Sequence, residues 1–259
     1  MKKRFTACAV LLATMTVFGA LSAQEEISVS ATTSEAADGL DLAAVGQLFK
    51  DSENLEAFEK ALNDSATGVN NLDLDGDGKV DFIRVVEETA EGVHLIILQV
   101  PVAQDEFQDV ATIEVEKTGE DQVNMQVHGN DILYGPDYFV TVSDVHIHHW
   151  PIIALIYRPA YRPYRSVFHF GLYPRWWRPR AIVAVHVYRG RTVRIAGRNA
   201  FTVVRTTRVT RVAKVHYVPR TSPVVVKRVK VVRPAVKPAP ARKADRPAEQ
   251  NRRERVRRR

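Results

Sequence analysis

Charge is segregated along this chain, and that segregation limits what it can fold into. Residues 24–145 carry 5 Lys and Arg against 27 Asp and Glu, a net of −22. Residues 146–259 carry 29 against 3, a net of +26, so the formal charge of +7 hides two opposite fields. Such asymmetry is the signature of a folded acidic part joined to a basic interaction segment. Opposite charges on one chain also predict salt-sensitive self-association. With 259 residues, 45% of them hydrophobic, one or two domains with a real core are within reach.

The amino terminus reads as an export signal over residues 1–23. Lys2-Lys3-Arg4 precede an apolar run from Phe5 to Leu21, and Ala20-Leu21-Ser22-Ala23 ends in the small residues a signal peptidase requires. A permanent anchor fits less well, because the run is short and holds Thr6, Thr14 and Thr16. Cys8, the single cysteine, lies inside it, so a chain starting at Gln24 has no thiol chemistry and needs no disulfide in an oxidising compartment. No later segment reaches the roughly 20 apolar residues of a membrane span. The expectation is an exported protein, periplasmic or secreted and associated with the envelope.

Residues 24–40 are Ser-, Thr-, Ala- and acid-rich without periodicity and read as a flexible leader. Asp41 then caps a helix with Leu42, Val45, Leu48 and Phe49 on its apolar side. A second helix after Asp51-Ser52 sets Leu55, Phe58 and Leu62 on one stripe and turns Glu53, Glu56 and Glu59 away from it. Four strands follow: 82–88, 93–100, 107–117 and 122–128. The second is apolar on both faces and central. The fourth points Val123, Met125 and Val127 inward and Gln122, Asn124, Gln126 and His128 outward. Short connections make an antiparallel meander the simplest topology. Residues 41–145 are thus expected to form an α+β domain, two N-terminal helices on a four-stranded antiparallel meander.

Between helices and strands lies Asp73-Leu74-Asp75-Gly76-Asp77-Gly78-Lys79-Val80-Asp81. Hard cations such as Ca2+ prefer oxygen ligands, and carboxylates this crowded repel one another unless a cation joins them. The loop resembles those of EF-hand and dockerin-type calcium proteins over about a dozen residues. That resemblance implies ligands from Asp73, Asp75, Asp77 and Asp81, a carbonyl from Lys79, and Gly78 at the sharp turn. It departs at Arg84, where an EF-hand has a bidentate Glu, and in running into a strand rather than an exit helix. The competing reading is an acidic turn whose aspartates cap backbone amides. Most of the chain is similar to exported bacterial proteins that pair one such loop with an Arg-, Tyr-, Trp- and Pro-rich tail, a likeness whose only specific motif is Asp73 to Asp81 and that implies no activity.

The basic half opens with a short tract of His146, His148 and His149, in which His146 and His148 would share one face of a strand and could hold zinc or copper. Residues 146–218 then read as a largely irregular segment, with a hairpin of 181–188 and 192–196 turning at Arg189-Gly190-Arg191. Residues 219–259 read as a disordered basic tail. Arg158, Arg162, Arg165, Arg175, Trp176, Trp177, Arg178 and Arg180 interleave guanidinium and aromatic groups among prolines, a composition suited to anions. Three partners suit this composition: anionic envelope polymer or lipid headgroups, which the export signal favours; the chain's own acidic part, in cis or from a neighbouring molecule; and nucleic acid, for which no recognition motif is present. No G-x-S-x-G, H-E-x-x-H or P-loop pattern occurs, and Glu87-Glu88, Asp105-Glu106 and Asp137 form no catalytic constellation. The sequence thus points to a calcium-binding protein without enzymatic activity.

Overall fold

Asp41 opens the first helix as its residue type dictates, its carboxylate accepting the amides of Ala43 and Ala44 at 2.9 and 3.1 Å. The computed structural model describes residues 37–144, 146–197 and 201–232. Helix α1 (Leu42–Asp51) buries Leu42, Ala44, Val45 and Phe49. Asn54 caps α2 (Leu55–Asn63) through the Ala57 amide, and Phe58 of α2 meets Phe49 edge-on at 5.4 Å. Six strands follow in antiparallel order: β1 (Arg84–Ala90), β2 (Val93–Ala103), β3 (Glu106–Lys117), β4 (Val123–Gly129), β5 (Phe139–Val142) and β6 (Phe201–Val204). The short helix α3 (Asp131–Tyr134) bridges β4 and β5. The pairs Val85–Leu98, Ile96–Ile113, Ile113–Val127 and Val127–Val140 line the core face. Against it pack α1, α2 and α4 (Pro151–Ile156), the last through Ile152, Ile153 and Ile156.

The expected α+β class with an antiparallel meander is therefore present, and the count of four strands is corrected to six. The sixth comes from the basic half. Phe201 and Val204 pair with Val142 and Phe139. Phe201 also packs where Gly46 leaves room, since a Cβ at Gly46 would stand 2.5 Å from its ring. The compositional boundary at 145 consequently does not divide the fold: Trp150 and α4 share one core with α1 and the sheet.

Two further expectations are corrected. The hairpin over 181–196 is instead helix α5 (Val185–Ala196). Tyr188, Thr192 and Ala196 recur every four residues and are buried, while Val187 and Val193 stay exposed. The alternation that suggested strands is overridden by this tertiary contact, and Arg189-Gly190-Arg191 lies mid-helix rather than in a turn. Residues 223–232, expected in a disordered tail, form α6 (Pro223–Val232). Ser222 caps it through the amides of Val224 and Val225, and Val225 and Val229 reach the core. The leader over 1–23, most of the segment 24–40 and the tail beyond 232 lie outside the described residues. No described helix is long and apolar enough to cross a membrane.

The second face of the sheet carries acids and amides beside a small apolar patch, and it is covered. Leu98 faces Ala111 but Gln99 faces Asp109, so Val110 is an extra residue that re-aims Asp109 onto this face. There Asp109 accepts from Gln99, the Tyr217 hydroxyl and the Arg220 amide, at 2.6 to 2.7 Å. Glu116 takes the Thr210 amide and the Arg211 guanidinium. Gln126, expected to face water, is buried, its carbonyl accepting the Arg208 amide at 2.7 Å. Residues 205–222 thus run as a strap across the acidic face, and Val215 closes a small apolar cluster with Val86, Val93, Leu95 and Ile97. Within the strap Arg211 pairs with Glu116 and Lys214 with Glu91, so part of its charge is neutralised in cis.

Candidate metal loop beside an aromatic and arginine face

Asp73, Asp75 and Asp77 bring one carboxylate oxygen each to within 4.8 Å of one another, and among the described residues no other His, Cys, Asp and Glu group meets this condition. The loop builds this cluster from its own backbone. Asp73 accepts the amides of Gly76 and Gly78 at 2.7 and 3.1 Å, Asp75 that of Asp77 at 3.0 Å, and Asp77 that of Lys79 at 2.8 Å. Gly76 and Gly78 have φ of +85° and +81°, the left-handed region where a side chain would strain the turn. The amide-capping reading is thus realised, and it leaves lone pairs over, because each carboxylate can accept about four hydrogen bonds.

Asp81 stands outside the trio. Its carboxylate accepts the Leu74 amide at 2.6 Å. Burial pushes its pKa up to about 7; the Leu74 hydrogen bond opposes that rise, and the charges of Asp75, Asp73 and Asp77 add to it. Lys79 sends its ammonium to Asp77 at 3.4 Å, and the peptides on either side of it pair with 180–182: Val80 donates to the Arg180 carbonyl and Ile182 to that of Gly78. A protein cation also reaches the loop. Arg228 of α6 donates to the Asp73 carbonyl at 2.8 Å and lies 3.5 Å from its carboxylate, close enough that a Cβ on Gly76 would stand 2.6 Å from the guanidinium.

Phe82, directly after Asp81, collects the aromatic array. Trp177, Phe168, Tyr173 and Trp176 lie around its ring at centroid distances of 5.3 to 6.4 Å. The eight residues expected to bind anions divide accordingly. Trp177 is buried, and Trp176 is exposed with the Lys60 ammonium 6.0 Å from its ring. Arg165 pairs with Glu88, Arg180 donates to the Asn70 carbonyl at 2.6 Å, and Arg178 donates to the carbonyls of Arg175 and Trp177. Arg158, Arg162 and Arg175 are exposed and make no ion pair among the described residues.

Two carboxylates are buried, Glu87 and Glu59, the latter expected to turn away from its helix's apolar stripe. Glu87 accepts Tyr161 Oη at 2.6 Å and the Tyr164 amide at 2.8 Å, with His94 Nδ1 at 2.7 Å. Glu59 accepts the Val85 amide at 2.6 Å and Tyr164 Oη at 3.4 Å; burial raises its carboxyl above the usual range against the pull of these hydrogen bonds. The signal that could have found them is the Tyr161–Tyr164 spacing, read only as part of an anion array. His146, His148 and His149 sit on a 3-10 turn (Ile147–His149), not a strand, and converge on no metal-sized point. Under the strap lies a cavity of about 500 Å³. In it Glu114 meets His128 Nδ1 at 3.1 Å and Thr112 Oγ1 at 3.2 Å. The hydroxyl and the imidazole both bond the Glu114 carboxylate. Compared with family models, curated proteins and solved structures, the chain matches none, and its own geometry carries the functional argument.

Proposed function

We propose that this is an exported, non-enzymatic binding protein, stabilised by Ca2+, whose basic half attaches to anionic envelope material. The observation that carries the reading is the convergence of Asp73, Asp75 and Asp77 on a loop whose next core residue, Phe82, anchors the aromatic and arginine segment. An all-oxygen carboxylate set suits a hard cation, with Asp73, Asp75 and Asp77 holding it and the Lys79 carbonyl and Asp81 next in sequence. A cation there relieves the carboxylate repulsion that adds to the effect of burial on Asp81, and stiffens the platform of exposed arginines. One rival reading has its own observation: Arg228 at 2.8 Å from the Asp73 carbonyl supplies the positive charge in cis, and no metal is needed.

Calcium titration calorimetry with a melting curve at each calcium level separates the two, on the chain from Gln24 onward. The proposal expects heat, a raised Tm, loss of both in Asp75→Ala plus Asp77→Ala, and tighter binding in Arg228→Ala. Absence of heat and thermal shift up to millimolar calcium, in wild type and Arg228→Ala alike, overturns it.

A further inference from the structure

We infer that the turn at residues 167–172, with Trp176 beside it, is the face by which this protein docks on an anionic lipid bilayer. The inference rests on the anion-binding reading above and names its partner. The His169–Leu172 bridge closes a tight turn with Phe170 and Gly171 at its tip. Val167 is 73% exposed, Leu172 49%, Trp176 46% and Phe170 41%, four large apolar side chains within ten residues held out in water. The turn is nevertheless fixed at its base. The Ser166 amide donates to the Val85 carbonyl at 2.9 Å, and the Glu87 amide to the Tyr164 carbonyl at 2.8 Å, so 164–166 extend the sheet past β1. Phe168 and Tyr173, flanking the turn, pack on Phe82. A rigid base that presents an apolar tip marks an interaction surface rather than loose chain.

The charges around the tip select the partner. Residues 145–244 contain no Asp or Glu, and Arg162 and Arg175 lie on either side of the turn, exposed and unpaired among the described residues. The acidic loop adjoins this face through Phe82, which follows Asp81 and packs on Tyr173, and the calcium proposed for the loop would offset its charge. A soluble polyanion would use the arginines alone and gain nothing from Val167, Phe170 and Leu172. A bilayer uses both, with apolar side chains below the headgroups, Trp at their level and Arg on their phosphates. Apolar insertion and cationic attraction are also the two signals that stable peripheral binding requires.

The test is co-sedimentation of the chain from Gln24 onward, which contains every described residue, with calcium present. The vesicles are phosphatidylcholine alone or phosphatidylcholine mixed with phosphatidylglycerol. Arginines at 252–259 attract anionic vesicles regardless of the turn, so the serine variant is compared with wild type at raised salt, where that attraction is weakened, and the arginine variant at low salt. Wild type should sediment with the anionic vesicles, and Val167→Ser plus Phe170→Ser plus Leu172→Ser should lose about ten-fold or more in partition. That variant should still bind dextran sulfate at low salt, whereas Arg162→Gln plus Arg175→Gln should weaken both. Unchanged vesicle partition in the triple serine variant overturns the lipid face while the anion-binding reading stands. Binding to neither vesicles nor dextran sulfate overturns the anion-binding reading itself. A wild-type dimer in light scattering that the triple variant makes monomeric, without vesicle binding, reassigns the face to self-contact.

Discussion

Tyr188→Phe removes one oxygen and tests whether the basic half is built into the fold. The Tyr188 hydroxyl donates to the Val69 carbonyl at 2.8 Å and accepts the Asp41 amide at 2.6 Å, 147 residues away in sequence. The side chain is 2% exposed, and burial raises its hydroxyl far above the usual tyrosine range, so it stays a donor. Phenylalanine fills nearly the same space, which leaves two backbone groups without partners as the main effect. Val69 is fully buried and Asp41 partly so. An orphaned buried polar group costs about 1–3 kcal/mol, and water can reach the Asp41 amide more easily, so the sum is about 2–4 kcal/mol. For a domain of roughly 200 residues that lowers Tm by roughly 5–15 °C. Calorimetry and urea unfolding read it, with Val187→Ala on the exposed side of the same helix as a control expected to stay within about 0.5 kcal/mol. A Tyr188→Phe loss no larger than the control's would refute the docking of α5 on α1, and with it the single core.

Two further predictions follow from burial. A chain ending at Asp144 lacks Trp150, Ile152, Ile153, Ile156 and β6 and exposes Glu114, Glu116 and Asp109, so it should keep far-UV dichroism, lose near-UV dichroism and bind a hydrophobic dye; a sharp cooperative melt would contradict this. Glu59 has a carboxyl raised in the folded state, so its contribution is fully present below its unfolded pKa of about 4.3 and is lost as pH rises through the folded pKa. Glu59→Gln keeps an acceptor for the Val85 amide and should flatten that part of the decline in urea midpoint with pH; an unaltered slope would place the titration elsewhere.

The meander was legible because its signals are local. Alternation in β4, the doubly apolar β2 and the turn at Glu91-Gly92, both at positive φ, specify neighbours in sequence. Asp41 and Asn54 announce their helices by side chain alone. What was not legible depends on distance. Glu59 and Glu87 look like solvated acids until Tyr161 and Tyr164 arrive more than 70 residues later. Gln126 looks like an outward residue until the strap covers it. Pro219 to Val232 has the composition of a tail, and only the Ser222-Pro223 start and the Val225–Val229 spacing mark a helix. Clustered charge reads the same whether its complement is a partner or the other half of the chain, and here Glu116 and Asp109 take up Arg211 and the Arg220 amide. In the loop, the trio of Asp73, Asp75 and Asp77 was readable from spacing, whereas Asp81's turn toward Leu74 and the arrival of Arg228 were not.

The strap also sets the order in which the molecule can be finished. Its contacts close over separations of 82 residues for Gln126 and Arg208, 95 for Glu116 and Arg211, and 111 for Asp109 and Arg220. A chain that emerges amino terminus first therefore holds its acidic sheet face unsealed until its last quarter is free. Such late-closing, long-range pairings are slow to form and keep a partly emerged chain from locking into shape. The strap thus acts as a clasp that shuts only once the last quarter of the chain is free.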